Sequence, residues 1–246
     1  MKGYISRITG RLLDRLLGLR YSSSGPQEAV AFLNIVMTDL RPSGIEQKAR
    51  SFISIIDLCL KKEQSVRLIV PIGRGGGEGV QSAYLSTFGR FLGKQGFELI
   101  FASPDSPRKH YLTGAVVALF FSLSLVKLFP GTHRNIAVLL SANYLRARTF
   151  FKLFDDFPAE NWFGLTGNTE LQALRCRRDT TGSASIVNAL QFGQASMDQY
   201  HFATYSVDQL FVYDAVSRDV YRKLGVNAGG IFVSGSPEFE LSLSRV

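Results

Sequence analysis

The sequence predicts an α/β fold in which a Rossmann-like parallel sheet is flanked by helices on both faces. Three observations support this prediction. Short apolar runs typical of buried strands alternate with longer segments of helical periodicity. The runs are almost continuously apolar, as in strands that are covered on both faces. The chain has 246 residues, of which 46% are hydrophobic, so it can bury a substantial core.

Seven apolar runs are predicted as strands. They lie at 31–37, 66–72, 97–102, 136–140, 186–190, 210–213 and 231–234. Three intervening segments repeat apolar residues at every third or fourth position and are predicted as helices: 43–62, 78–94 and 216–224. Because strands and helices alternate, we expect a parallel sheet in which each helix crosses back over a face.

Residues 1–24 are predicted as a basic amphipathic helix followed by a linker, and residues 25–246 as the α/β domain. In the first segment Arg7, Arg11 and Arg15 lie among apolar residues at helical spacing. Two interpretations stay open: a helix that lies on an anionic membrane, or a helix packed on the domain with its basic face in solvent. The segment lacks the continuous apolar core of a secretory signal, so a cytoplasmic protein is expected, peripheral at the inner membrane face under the first interpretation.

The stretch 111–126 is apolar and uncharged over sixteen residues. A membrane-spanning helix needs about 20 such residues. A core helix, or one that enters a bilayer surface, is therefore predicted instead. The two cysteines and three histidines form no ligand spacing, so neither a metal site nor a disulfide scaffold is expected.

A glycine-rich loop follows the second predicted strand and precedes a helix. It comprises Gly73, Arg74, Gly75, Gly76, Gly77, Glu78 and Gly79. Glycines let a ligand approach the backbone, and the helix N-terminus beyond them is a favourable seat for phosphate. No Walker A lysine follows, and Glu78 stands where a dinucleotide fingerprint requires glycine. A phosphate-binding turn and a turn without ligand both stay open.

Two parts of the chain resemble known transferases. The strand–loop–helix–strand order ending in GKQGFELIFAS resembles the opening of GT-B-fold glycosyltransferases, as does the stretch 35–47. A longer resemblance covers 168–240, where a helix and a strand lead to Gln191–Gln194 (QFGQ). A helix then ends in KLGV, and a strand leads to SGSP at 234–237. This order is similar to glycosyltransferases and glycerophosphate transferases of surface-polysaccharide assembly.

The resemblance implies the N-terminal, acceptor-side half of a nucleotide-sugar glycosyltransferase of GT-B type, active only with a donor-domain partner protein. The nucleotide-sugar would be a co-substrate, the acceptor a glycan or a lipid-linked sugar, and no cofactor would be needed. The implied ligand contacts at the sheet edge are Gln191, Gly193, Gln194, Ser234, Gly235 and Ser236. Glu78 and His201 are the candidate bases, because Phe192 replaces the family's histidine and cannot transfer a proton.

Two other functions stay open. Phe192 and the missing donor half are also consistent with a non-catalytic binding or scaffolding subunit derived from such an enzyme. A single-domain nucleotide-binding oxidoreductase is the third hypothesis, and Glu78 in the glycine loop argues against it. Nucleic-acid binding is not expected, since the net charge of +8 is its only support and the aromatic residues follow no RNA-binding pattern.

Overall fold

A computed structural model describes residues 32–72, 77–102, 116, 119–120, 122–123, 147, 150–167, 169–197 and 205–236. By its internal contacts the chain divides into two compact units. One comprises Met1–Gln27 and Ser106–Arg146, and the other comprises Glu28–Asp105 and Ala147–Val246. The sequence pattern did not indicate that a central segment groups with the N-terminus. The division into 1–24 and 25–246 stays a prediction.

The second unit has the predicted Rossmann-like architecture, a seven-stranded parallel sheet with helices on both faces. Its elements are β1 (Phe32–Val36), α1 (Pro42–Lys61), β2 (Ser65–Pro71), α2 (Glu78–Phe88), β3 (Phe97–Ala102), β4 (Asn161–Leu165), α3 (Thr169–Thr181), β5 (Ile186–Leu190), β6 (Ser206–Val212), α4 (Ala215–Lys223) and β7 (Asn227–Val233). Residues 150–156 are also helical. The strand order is β3-β2-β1-β4-β5-β6-β7 over the described ranges.

The strand order places the helices on opposite faces. From β1 the chain moves to one edge of the sheet, and from β4 it moves to the other, so right-handed crossovers put α1 and α2 on one face and α3 and α4 on the other. The first face buries Phe52 of α1 and Tyr84 of α2 against β1 and β2. On the second face Trp162 of β4 is fully buried and stacks on Phe154, with ring centroids 5.5 Å apart.

Three sequence predictions need correction. The helix predicted over 78–94 ends at Phe88, and a short 3₁₀ turn, Gly89–Phe91, follows it. The strands predicted at 210–213 and 231–234 begin earlier, at Ser206 and Asn227. The strand predicted at 136–140 lies outside the described residues.

Strand β4 was not predicted, because its sequence NWFGL contains asparagine and glycine. The structure explains the glycine. A Cβ on Gly164 would lie 2.8 Å from a methyl carbon of Leu171 in α3. The residue that weakens the strand signal is therefore the one that lets α3 pack closely on the sheet.

Candidate functional site

The strand order reverses between β1 and β4, which pair directly with each other. The connections that leave these two strands run to opposite faces, which is the arrangement that forms a crevice at the carboxyl edge of open α/β sheets. Ligands of open α/β sheets bind at such a topological switch point. The loops after Val36 and Leu165 flank this position, so they define where the candidate site lies.

The loop after β1 buries a carboxylate. Asp39 accepts a hydrogen bond from the backbone N–H of Arg41 at 2.9 Å, and the Lys48 ammonium lies 3.1 Å from its other oxygen. The backbone carbonyl of Asp39 accepts a hydrogen bond from the Tyr84 hydroxyl at 2.9 Å. These contacts connect the β1 loop to both α1 and α2.

The Asp39 side chain stays ionised despite its burial. Desolvation opposes the charge, but the Arg41 N–H and the Lys48 ammonium outweigh it, so the pKa lies below the usual 3.8. Such a carboxylate is a poor proton acceptor at neutral pH. Its contacts indicate instead that it orients Lys48.

Lys48 extends from α1 toward the turn after β5. Its ammonium lies 5.7 Å from the centroid of the Phe192 ring. The backbone N–H of Phe192 donates to the Thr166 hydroxyl at 2.9 Å, and Thr166 directly follows β4. We call Asp39, Lys48, Thr166 and Phe192 the switch-point cluster, because they join the ends of β1, β4 and β5.

Gly44 makes this arrangement possible. It lies in the first turn of α1, and a Cβ there would come within 2.4 Å of a carboxylate oxygen of Asp39. Real Cβ atoms do not approach other atoms so closely, so the carboxylate or the helix would have to move. Only glycine fits beside the buried Asp39.

We predict that Gly44→Ala destabilises the fold by about 2 kcal/mol, because the added methyl group overpacks the Asp39 pocket. The matched control is Gly79→Ala in the first turn of α2, where nothing lies within 4 Å of an added Cβ. That change should leave stability unchanged or raise it by about 0.5 kcal/mol. Urea denaturation of both variants measures the contrast, and equal stability of the two would contradict the geometry.

The side chain of Gln191, a predicted ligand contact, makes hydrogen bonds within the described structure. Its side chain is buried, donates to the Gly193 carbonyl at 3.0 Å and the Ser217 hydroxyl at 3.2 Å, and accepts from the Tyr213 N–H at 2.9 Å. The buried amide thus stabilises the Phe192–Gly193 turn through these hydrogen bonds. Gly193 has a positive φ of 76° in that turn, which favours glycine. Direct ligand contact by Gln191, Gly193 or Gln194 stays a prediction.

Part of the glycine loop lies within the described residues. Gly77 caps α2 without a side-chain hydrogen bond, Glu78 is exposed in the first turn, and no atom lies within 4 Å of a Cβ built on Gly77 or Gly79. Gly73, Arg74, Gly75 and Gly76 lie outside the described residues, as do His201, Arg7, Arg11 and Arg15.

The predicted serine turn lies at the same sheet edge but farther along it. The Ser234 N–H and hydroxyl both donate to the Val212 carbonyl, at 2.9 and 3.4 Å, and Gly235 adopts a φ of 78°. Ser236 follows. Because β5 and β6 separate β7 from β4, these residues are not part of the switch-point cluster.

Sequence reasoning did not identify Asp39, Lys48 or Thr166 as site residues. The sequence did contain a signal for Asp39. The stretch MTDLRPSG follows a buried strand and places Pro42 at the first turn of a helix, which indicates a loop at the end of a strand. Lys48 carried no such signal, because a lysine in an amphipathic helix usually faces solvent.

Across the described ranges, no group of three or more histidine, cysteine, aspartate or glutamate residues is placed to hold a metal ion. The same residues include no helix long and apolar enough to cross a membrane. Comparison with models of protein families found no match, and comparison with curated proteins found none either.

Proposed function

We propose that the chain is the acceptor-binding half of a nucleotide-sugar-dependent glycosyltransferase, and that its ligand occupies the switch-point crevice. The observation that carries the proposal is the switch-point cluster, in which Asp39 and Phe192 hold Lys48 where α/β sheets bind ligands. An ammonium has three donors, so the pair with Asp39 leaves capacity for a ligand oxygen. The Lys48 side chain retains 22% exposure, which gives a ligand access to it.

In the proposed reaction, an acceptor hydroxyl oxygen bonds to the anomeric carbon of the donor sugar. The bond from that carbon to the nucleoside diphosphate breaks, and its electron pair leaves with the diphosphate. The hydroxyl proton must pass to a base. Asp39 is held by other groups and Phe192 cannot accept a proton, so the switch-point cluster contributes binding and orientation and the base lies outside it. Glu78, exposed at the start of α2, and His201 are the chain's candidate bases.

The same geometry disfavours the oxidoreductase hypothesis. In this strand order a dinucleotide places its pyrophosphate at the turn after β1, against the first turn of the next helix. Here that position holds the ionised Asp39 carboxylate, packed against Gly44. The carboxylate fills the place where the dinucleotide fingerprint has glycine and the pyrophosphate approaches the backbone, so the dinucleotide mode of binding is disfavoured there.

We expect Lys48→Met to weaken ligand binding at least about tenfold, the loss typical of a charge-assisted hydrogen bond. The probes are nucleotide-sugars of UDP, GDP, CDP and CMP, glycosyl phosphates, and NAD(P). Binding of each probe to the whole chain is measured by thermal shift and then by calorimetry. Lys61→Met is the matched control, because Lys61 lies on the same helix but in its last turn. The proposal predicts saturable binding of a sugar-bearing probe.

Two results would count against the proposal. Binding that is equal in Lys48→Met and the control would place the ligand elsewhere. A rise in melting temperature with NAD(P) and with none of the sugar-bearing probes would favour the oxidoreductase hypothesis. If a sugar-bearing probe binds but no donor-domain partner gives turnover, the non-catalytic binding subunit is favoured.

A further inference from the structure

The net positive charge of the chain is confined to one of its two units. Met1–Gln27 and Ser106–Arg146 together contain ten lysines and arginines and one acidic residue, Asp14, a net charge of +9. The remaining chain contains 18 basic and 19 acidic residues, a net charge of −1. The chain total of +8 therefore conceals a strongly basic unit attached to a nearly neutral one.

The basic unit also presents exposed apolar side chains. Val116, Leu119 and Leu123 are helical and are 43%, 61% and 68% exposed. The three residues have the spacing i, i+3 and i+7 that is typical of one face of a helix, and we call them the apolar stripe. They belong to the uncharged stretch 111–126. An apolar stripe in a basic unit is typical of a surface that lies in the interface of an anionic membrane.

We propose that this unit docks the chain on an anionic lipid surface. The stripe enters the boundary between headgroups and acyl chains, while the basic residues of both segments contact lipid phosphates. Charge complementarity selects the occupant, since anionic leaflets attract basic segments near their surface. A nucleic acid would also attract the charge, but it would gain nothing from exposed leucine and valine side chains.

Flotation of the whole chain with vesicles tests the proposal. One set is phosphatidylcholine alone, and the other adds about 30% phosphatidylglycerol as an anionic lipid. We expect binding to the anionic vesicles only. The double variant Leu119→Gln/Leu123→Gln should bind at least about tenfold more weakly. The control Leu58→Gln/Val216→Gln removes two exposed apolar side chains of the other unit, 54% and 73% exposed, and should bind like the native chain.

A second pair of variants tests the charge. Arg7→Glu/Arg11→Glu/Arg15→Glu should weaken binding by about a hundredfold or more, whereas Arg50→Glu/Lys61→Glu/Lys62→Glu makes the same change in net charge on the other unit and should not. Unchanged binding of either test variant, or equal binding to neutral vesicles, overturns the proposal. The proposal is also overturned if single-stranded RNA displaces the native chain from the vesicles and binds the Leu119→Gln/Leu123→Gln variant as tightly as it binds the native chain. Lys48→Met should still float, which separates this surface from the crevice.

Discussion

Asp208→Ala is expected to lower the free energy of unfolding by about 3 kcal/mol, because it leaves two partly buried guanidinium groups without their shared carboxylate. Asp208 lies on β6 and pairs with Arg175 and Arg178 of α3. Its carboxylate also accepts the Val187 N–H of β5 at 2.8 Å. One side chain thus connects a helix to two neighbouring strands.

The loss at Asp208 should come mainly from Arg175, which cannot easily turn to water, because Arg178 keeps its pair with Asp179. Arg175 also donates to the backbone carbonyls of Val207 and Asn227, which hold it against β6 and β7. The side chains of Asp208, Arg175 and Arg178 are each 18% exposed, so solvent screens them only in part. Asp208→Asn keeps an acceptor for the Val187 N–H and should be intermediate.

The control for this prediction is Asp219→Ala. Asp219 pairs with Arg218 at 3.4 Å, and its side chain is 58% exposed. An exposed pair contributes about 0.5 kcal/mol or less, so this variant should unfold almost like the native chain. Urea denaturation followed by circular dichroism compares the variants. If both alanine variants lost the same stability, the carboxylate of Asp208 would not stabilise the sheet as described.

The arrangement of the sheet was more predictable than the site. Alternating apolar runs and amphipathic segments indicate a parallel sheet, because burial on both faces leaves a strong pattern in the sequence. The pattern did not predict β4, because Gly164 is atypical of a strand. The glycine is needed there to make room for Leu171 of α3. Strand order needs contacts between segments far apart in sequence, and those follow only from the folded chain.

The switch-point cluster shows why sequence reasoning did not find this candidate site. Phe192 drew attention because it replaces a histidine in the resemblance, but its partner Lys48 lies 144 positions earlier in the chain. Asp39 is identified only by its burial and by the absence of a side chain at Gly44. The glycine loop, in contrast, was visible in sequence because glycine-rich turns are local. Local signals therefore predicted turns, and the contacts between turns required the structure.

Asp39→Ala is expected to lower stability by about 3 kcal/mol and to abolish ligand binding in the crevice. The change leaves the Lys48 ammonium without the carboxylate that holds it and leaves the Arg41 N–H without its acceptor. Asp39→Asn retains an acceptor for that N–H, so its loss of stability should be smaller. Both variants should lose the orientation of Lys48, and calorimetry with whichever sugar-bearing probe binds the native chain measures that loss.

The same residue gives the stability a defined dependence on pH. The pKa of Asp39 in the folded chain lies below its usual 3.8, because the Arg41 N–H and Lys48 outweigh the opposing effect of burial. Its ionised form therefore stabilises the fold fully above about pH 4, and this contribution is lost as the pH falls through the folded-state value. The stability difference between the native chain and Asp39→Asn should be constant from about pH 7 to 5 and should shrink below about pH 4. Urea denaturation across this pH range tests the prediction. A stability difference between the two proteins that stays constant down to about pH 3 would show that the ionisation of Asp39 does not contribute to the pH dependence of stability.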